Sequence, residues 1–193
     1  IGVFILKDYR YYAFCSSEMT VRQTYVKVYS SLGGIFMRIA WIGAGKMTES
    51  FLKGFEGEKN IIHYVSSRRQ ESLDKLREQF HFIPQVDNVS CVQKADIIVL
   101  AVKPQQLHDL CLEIKDAIPK DAFVISIAVG ISVHLLESWL GLDLKIIRMM
   151  PTTAVSIKKG SIAMCCNHKI KTQDLQKIYS VFESVAMLKP LLE

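Results

Sequence analysis

Arg38-Ile39-Ala40-Trp41-Ile42-Gly43-Ala44-Gly45-Lys46-Met47-Thr48 decides the fold of this chain. A short apolar run enters a glycine turn, and an amphipathic segment follows. Strand, tight turn and helix in that order build a cradle for a pyrophosphate. Gly43 permits the turn, and Gly45 lets the backbone approach a phosphate closely because it carries no Cβ. The helix opening at Lys46 and Met47 turns its free N–H groups and positive dipole end toward the anion. A second apolar run at 61–65 falls within the span of one βαβ unit. The third small position of the glycine fingerprint holds Thr48. A β-branched residue there is expected to push the helix out slightly or to need a compensating small neighbour, and to be tolerated at some loss of cofactor affinity.

From Arg38 onward, strand and helix signals alternate. Strands are expected at 38–43, 61–66, 81–84, 96–101, 122–127, 144–149 and 161–166, and helices at 46–57, 69–80, 87–94, 105–116, 132–140 and 171–185. The apolar runs at 97–102 and 123–129, the second interrupted only by Ser126, suit strands covered on both faces. Ser132 reads as the cap of a helix that stops at Gly141, and Thr172 as the cap of the last helix. The expectation is a doubly wound, mostly parallel α/β sheet, a Rossmann-type dinucleotide-binding domain over residues 37–193.

Residues 1–36 differ, with five tyrosines, four basic and two acidic residues and no clean period. They are expected to be an extension outside the fold, disordered or upstream of a true start at Met37. The acid-poor stretch 19–37 faintly resembles a mitochondrial presequence, although the cytoplasm is the favoured compartment.

Half of the 193 residues are hydrophobic and 22% are charged, which is the balance of a globular chain. The net charge of +5 is scattered and not interleaved with aromatics. It therefore argues against a nucleic-acid surface and suits a polyanionic nucleotide. The longest apolar run, 122–136, is broken by Ser126, Gly130, Ser132 and His134, so no membrane span is expected. Cys15, Cys91, Cys111, Cys165 and Cys166 form no paired motif, no histidine sits at metal spacing, and no metal is expected. In a strand, Cys165 and Cys166 would face opposite sides, one toward the core and one toward solvent. The five histidines read as ordinary surface or strand-end residues.

The second strand ends Tyr64-Val65-Ser66-Ser67-Arg68-Arg69, without the acid that binds the ribose hydroxyls of NAD. Hydroxyls and guanidinium groups suit a 2′-phosphate, so NADPH is favoured over NADH. Ser67 can also be read as the cap of the following helix.

Four segments together resemble the pyrroline-5-carboxylate reductase family. They are Ile42-Gly43-Ala44-Gly45-Lys46-Met47, Leu100-Ala101-Val102-Lys103-Pro104, Ser126-Ile127-Ala128-Val129-Gly130-Ile131-Ser132 and Ile147-Arg148-Met149-Met150-Pro151-Thr152-Thr153. The resemblance covers residues 37–193. It implies NADPH-dependent reduction of a cyclic imine to proline. It places Ile42, Gly43, Ala44, Gly45, Lys46 and Met47 at the pyrophosphate, and Ser66, Ser67 and Arg68 at the 2′-phosphate end. Asn88 falls near the cofactor, Ala101, Val102, Lys103 and Pro104 beside the nicotinamide ribose, and Ile127, Ala128 and Val129 on the nicotinamide side. Thr153 is the implied substrate contact, and no catalytic acid is named. The family's Asn-Thr-Pro after Met-Pro is here Thr152-Thr153-Ala154.

In the family a helical C-terminal domain follows, grips the substrate carboxylate and builds the dimer. The chain given ends at Pro190-Leu191-Leu192-Glu193, about where that domain begins. A fragment and a natural cofactor module both fit, with homo-oligomerisation expected only where the C-terminal domain is present. In its absence an apolar patch is expected at Ala186, Met187, Leu188, Leu191 and Leu192. The alternatives are a non-catalytic NADP-binding paralogue and a related reductase acting on a hydroxy acid or another imine.

Overall fold

The computed structural model describes residues 36–191, so the expectations for the 1–35 leader, with Cys15, and for Leu192 lie outside the described residues. Eight strands form one sheet: β1 (Met37–Ile42), β2 (Ile61–Ser66), β3 (Ile83–Gln85), β4 (Ile97–Leu100), β5 (Phe123–Ser126), β6 (Lys145–Pro151), β7 (Gly160–Cys166) and β8 (Ala186–Pro190). Their spatial order is β3-β2-β1-β4-β5-β6-β7-β8. The first six strands run parallel, β7 is antiparallel to β6, and β8 is parallel to β7. The helices are α1 (Lys46–Gly54), α2 (Gln70–Arg77), α3 (Asn88–Val92), α4 (Pro104–Ile114), α5 (Val133–Leu140) and α6 (Thr172–Phe182). This is the doubly wound, mostly parallel α/β sheet expected from the sequence.

From β1 the chain first builds outward to β2 and β3, then returns to add β4 on the other side. The order reverses between β1 and β4, and open α/β sheets bind ligands at the carboxyl ends of the strands flanking such a reversal. The two strand exits are stitched together there: the Ala101 N–H donates to the Ile42 carbonyl at 2.9 Å.

Strand alternation divides the core in two. Ile39, Trp41, Val65, Ile97, Val99, Phe123 and Ile125 face α1, α2 and α6, whereas Ala40, Ile42, Ile98, Leu100 and Val124 face α3, α4 and α5. Trp41, Phe51, Phe55 and Phe182 form an aromatic cluster on the first side, with Trp41 and Phe51 centroids 5.1 Å apart. Burying rings of this size contributes about 1.5–3 kcal/mol each, which anchors α1 beneath the glycine turn.

Several expectations need correction. Helices α1, α2, α3, α4 and α6 end two or three residues early, because the chain leaves each helix in a turn, after α4 through a short 3-10 helix at Lys115–Ala117, instead of continuing the apolar stripe. Thr172 is already helical and does not cap α6; the Asp174 carboxylate accepts from the Lys171 N–H at 3.0 Å in its place. The segment 186–190 is a strand, β8, rather than an apolar patch. Ala186 and Leu188 point inward, which leaves Met187 and Leu191 as the exposed pair. Lys189 and Pro190 hid it, since proline is tolerated only at strand ends and edges.

The reading of Ser132 holds. Ser132 caps α5 by accepting from the Leu135 N–H at 3.1 Å, and the helix stops at Gly141 with φ 104°. Cys165 is half-buried and Cys166 exposed. Among the described residues no helix is long and apolar enough to cross a membrane, and no three His, Cys, Asp or Glu side chains gather to hold a metal.

Candidate functional site

A cavity of about 650 Å³ opens at the β1/β4 reversal. Nine of the sequence-predicted residues line it: Gly43, Ala44, Gly45, Ser67, Arg68, Asn88, Ala101, Val102 and Lys103. They come from the exits of β1, β2 and β4 and from the start of α3, so the sheet topology alone brings them together.

The two glycines differ in what requires them. Gly43 sits at φ +115°, and a Cβ there would lie 2.7 Å from the Ala101 carbonyl oxygen, so the fold itself excludes a side chain. Gly45 has extended backbone, and its Cβ would meet only the Ala101 oxygen, at 3.9 Å. No described residue therefore demands glycine at 45. It is the N-cap of α1, and no side chain caps that helix. An open, side-chain-free helix N-terminus facing a cavity is the geometry a phosphate needs.

Thr48 corrects an expectation. It is fully buried, and its hydroxyl donates to the Gly43 carbonyl at 2.6 Å. The hydroxyl ties the first turn of α1 to the glycine turn, so the β-branched residue closes the helix onto the strand instead of forcing it away.

At the end of β2 the Ser66 hydroxyl donates to Asn88 Oδ1 at 2.8 Å, and the Gly43 N–H donates to the Ser66 carbonyl at 2.9 Å. Ser67 is not the cap of α2. Its Oγ accepts from the Arg69 N–H at 3.2 Å, one step before the helix starts. Arg68 and Arg69 make no ion pair with any described residue. Glu71, the nearest acid in sequence, is held by Lys75 at 2.7 Å. Hydrogen bonding and charge from Lys75 keep the Glu71 carboxyl below the usual carboxylate range. The arginine pair and Lys103 are thus left to face the cavity with hydroxyls beside them.

The remaining predicted residues do not line the cavity. Ile42 and Ser66 are buried beneath its rim, and Met47 packs into the core. Lys46 reaches sideways to Glu49 at 2.9 Å. Pro104 is the first residue of α4, where its missing N–H costs nothing. Ile127, Ala128 and Val129 follow β5. The Ala128 N–H bonds to Ser126 Oγ at 3.3 Å, while Val129 is exposed. Thr153 opens a short 3-10 turn, Thr153–Ile157, and is exposed. Its neighbour Thr152 is occupied structurally, its hydroxyl accepting from the Ser161 N–H at 3.1 Å. All of these lie at the carboxyl edge of the parallel sheet, as does the cavity.

Sequence reasoning overlooked one wall. Gln106, Asp109, Leu110 and Glu113 of α4 line the cavity, with Ser72 of α2. Their spacing of three, four and seven is one helix face, a signal that was present once α4 had been placed. Asn88 Nδ2 donates to both carboxylate oxygens of Glu113 at 3.1 Å.

Residues 38–130 match the family model described as NADP oxidoreductase, coenzyme F420-dependent. The chain is 29% identical over 152 residues to the pyrroline-5-carboxylate reductase of Pseudomonas aeruginosa, covering 78% of this chain and 56% of that protein. It is 28% identical over 162 residues to the enzyme of the same name from Escherichia coli, covering 80% and 60%. The solved pyrroline-5-carboxylate reductase of Coxiella burnetii matches with a TM-score of 0.72 and 31% identity over 80% of this chain and 58% of that one. A Plasmodium falciparum pyrroline carboxylate reductase, solved with NADP bound, matches in fold with a TM-score of 0.73 at 22% identity, over 81% and 58%. The chain spans somewhat more than half the length of each of these relatives.

Proposed function

Since this chain is related to the pyrroline-5-carboxylate reductases, we propose that residues 37–193 form an NADP-binding domain. In this reading the chain supplies the cofactor half of an enzyme reducing 1-pyrroline-5-carboxylate to proline. The observation that carries the cofactor reading is Gly45. It is a glycine that the packing of the described residues does not need, set at a helix N-terminus without a side-chain cap that opens on a cavity lined by Arg68 and Arg69.

The residues present fit the group. The backbone of Gly43, Ala44, Gly45, Lys46 and Met47 would hold the pyrophosphate, with Ile42 as the strand end that sets the turn. Ser66, Ser67 and Arg68, joined by Arg69 and Ser72, would hold the 2′-phosphate and favour NADPH over NADH. Ala101 to Pro104 would line the nicotinamide ribose, with Ile127, Ala128 and Val129 beside the ring. NADPH, when bound, supplies the hydride. The chain's own contribution is position: two strand exits and a helix start fixed by hydrogen bonds hold the reacting ends in place. Thr153 would meet the imine substrate, and no residue of this chain is assigned as a catalytic acid. Assembly into a homo-oligomer and the grip on the substrate carboxylate would fall to a helical C-terminal domain.

Titrating the purified chain with NADPH and NADH, following the cofactor's fluorescence, tests the reading. Saturable binding with tighter NADPH is expected. Replacing Arg68 and Arg69 by Ala should weaken NADPH about tenfold or more and NADH little, since charge-assisted bonds to the phosphate are lost. Equal losses for the two would overturn the 2′-phosphate assignment. Imine-dependent oxidation of NADPH tests the substrate.

A further inference from the structure

NAD sites place a carboxylate at the end of the second strand, where it accepts hydrogen bonds from the adenosine ribose hydroxyls. The β2 exit here has no acid, only Ser66-Ser67-Arg68-Arg69. In space an acid stands close by. Ser66, the last residue of β2, donates its hydroxyl to Asn88 Oδ1 at 2.8 Å. The Asn88 amide nitrogen lies 3.1 Å from both carboxylate oxygens of Glu113, on the last turn of α4. Glu113 is exposed, and it lines the same cavity as Gly45, Arg68 and Arg69.

The orientation of this chain of groups is determined. A carboxylate only accepts hydrogen bonds, so the amide must turn its nitrogen to Glu113 and its oxygen to Ser66. Two bonds to one amide nitrogen hold the carboxylate beside the β2 exit without consuming its remaining lone pairs. Acid and arginines then line one cavity. A ribose 2′-hydroxyl could donate to Glu113, whereas a 2′-phosphate would be attracted by Arg68 and Arg69 and repelled by Glu113.

We propose that Glu113 is a specificity-determining residue of this site, a carboxylate delivered from α4 in place of the acid missing after β2. It holds down the preference for the 2′-phosphorylated cofactor and leaves the non-phosphorylated one usable. The inference rests on the cavity's being the dinucleotide site.

The test is a pair of titrations, NADPH and NADH, on the wild-type chain, Glu113→Gln and Glu113→Asp. In Glu113→Gln the ratio of the NADH to the NADPH dissociation constant should rise about threefold or more at low ionic strength, and the rise should shrink as salt is added. Glu113→Asp keeps the charge and should hold the ratio within about twofold of wild type. A structural role alone would change both constants by the same factor and leave no salt-dependent ratio. That outcome, or an unchanged ratio in Glu113→Gln, would overturn the proposal while leaving the cofactor reading intact. Wild-type chain that binds neither dinucleotide would overturn both.

Discussion

The Thr48 hydroxyl donates to the Gly43 carbonyl across 2.6 Å, binding the first turn of α1 to the turn that precedes it. Thr48 is completely buried, so its oxygen has no water to turn to. The bond therefore does two things at once: it satisfies a buried hydroxyl, and it fixes the glycine turn on which the cavity is built. Thr48→Val keeps the shape and removes the donor, leaving the carbonyl short of a partner. It should cost about 1–3 kcal/mol in urea denaturation. Thr48→Ser keeps the bond and should lose less than Thr48→Val. If the valine variant is as stable as wild type, the bond is not what holds the turn.

His63 is tied to the aromatic cluster in a way that sets a pH dependence. The indole N–H of the fully buried Trp41 donates to His63 Nδ1 at 3.1 Å, and the ring lies 5.6 Å from that of Phe55. Burial pushes the imidazole down from its ordinary 6.5 to about 4. An imidazolium also could not accept from Trp41. The unfolded chain thus binds a proton between these values that the folded one refuses. The His63 contribution is complete above pH 6.5, falls as pH drops toward about 4, and is level below that. Denaturation midpoints measured across this range should show the step, and His63→Leu should abolish it. The leucine variant should also be less stable at neutral pH by about 1–3 kcal/mol, because the buried indole N–H is left unpaired.

Gly54 closes α1 against the turn Thr153–Ile157. A Cβ at Gly54 would run into the Val155 carbonyl oxygen and approach Val185 Cγ1 to 3.1 Å. The obstacle is backbone, which cannot swing aside. In an open helix an alanine would stabilise, since glycine costs about 1 kcal/mol there. Here the sign reverses, and Gly54→Ala should destabilise by about 1–3 kcal/mol through overpacking. A thermal melt decides between the two. A rise in Tm would mean that the turn carrying Thr153 is free to move away from α1.

The sheet was legible in the sequence because its strands are buried on both faces. Unbroken runs such as Ile97-Ile98-Val99-Leu100 have no other common use at that length. The glycine turn was legible because glycine at 43 is demanded by backbone geometry. What stayed hidden was carried by contacts between distant segments. β8 is half exposed and ends in Lys189-Pro190, so its pattern looked like a surface patch. The Trp41 bond made His63 a structural partner, where sequence offered only a dispersed histidine. The α4 wall of the cavity had a readable spacing, but whether that face met the cavity or solvent depended on where β2 and α3 came to lie. The role of Thr48 stayed hidden for a related reason: its hydroxyl bonds to the carbonyl of Gly43, a contact that its β-branched shape does not announce.

Asp174 carries the last prediction because one carboxylate serves two elements. One oxygen accepts from the Lys171 N–H at 3.0 Å and starts α6, and the other meets Lys145 Nζ of β6 at 3.0 Å. Lys145 is steadied in turn by the Phe123 ring, 5.0 Å below its ammonium. The side chain of Asp174 retains 8% of its surface and that of Lys145 24%, so the pair is shielded from water. Burial opposes ionisation of Asp174, but the Lys171 N–H and the Lys145 ammonium outweigh it and hold the carboxyl below its ordinary range. A depressed carboxylate contributes stability above its unfolded value and loses it as pH falls through the folded one, so this contribution disappears in acid. Asp174→Ala removes the cap and strands the lysine. It should cost about 2–4 kcal/mol at neutral pH, more than Lys145→Met, which keeps the apolar stem over Phe123 and leaves the cap in place. Denaturation of both single variants and of the double variant at pH 7 separates the roles. If Asp174→Ala costs no more than Lys145→Met, the aspartate acts through its ion pair alone and α6 does not depend on it for its start.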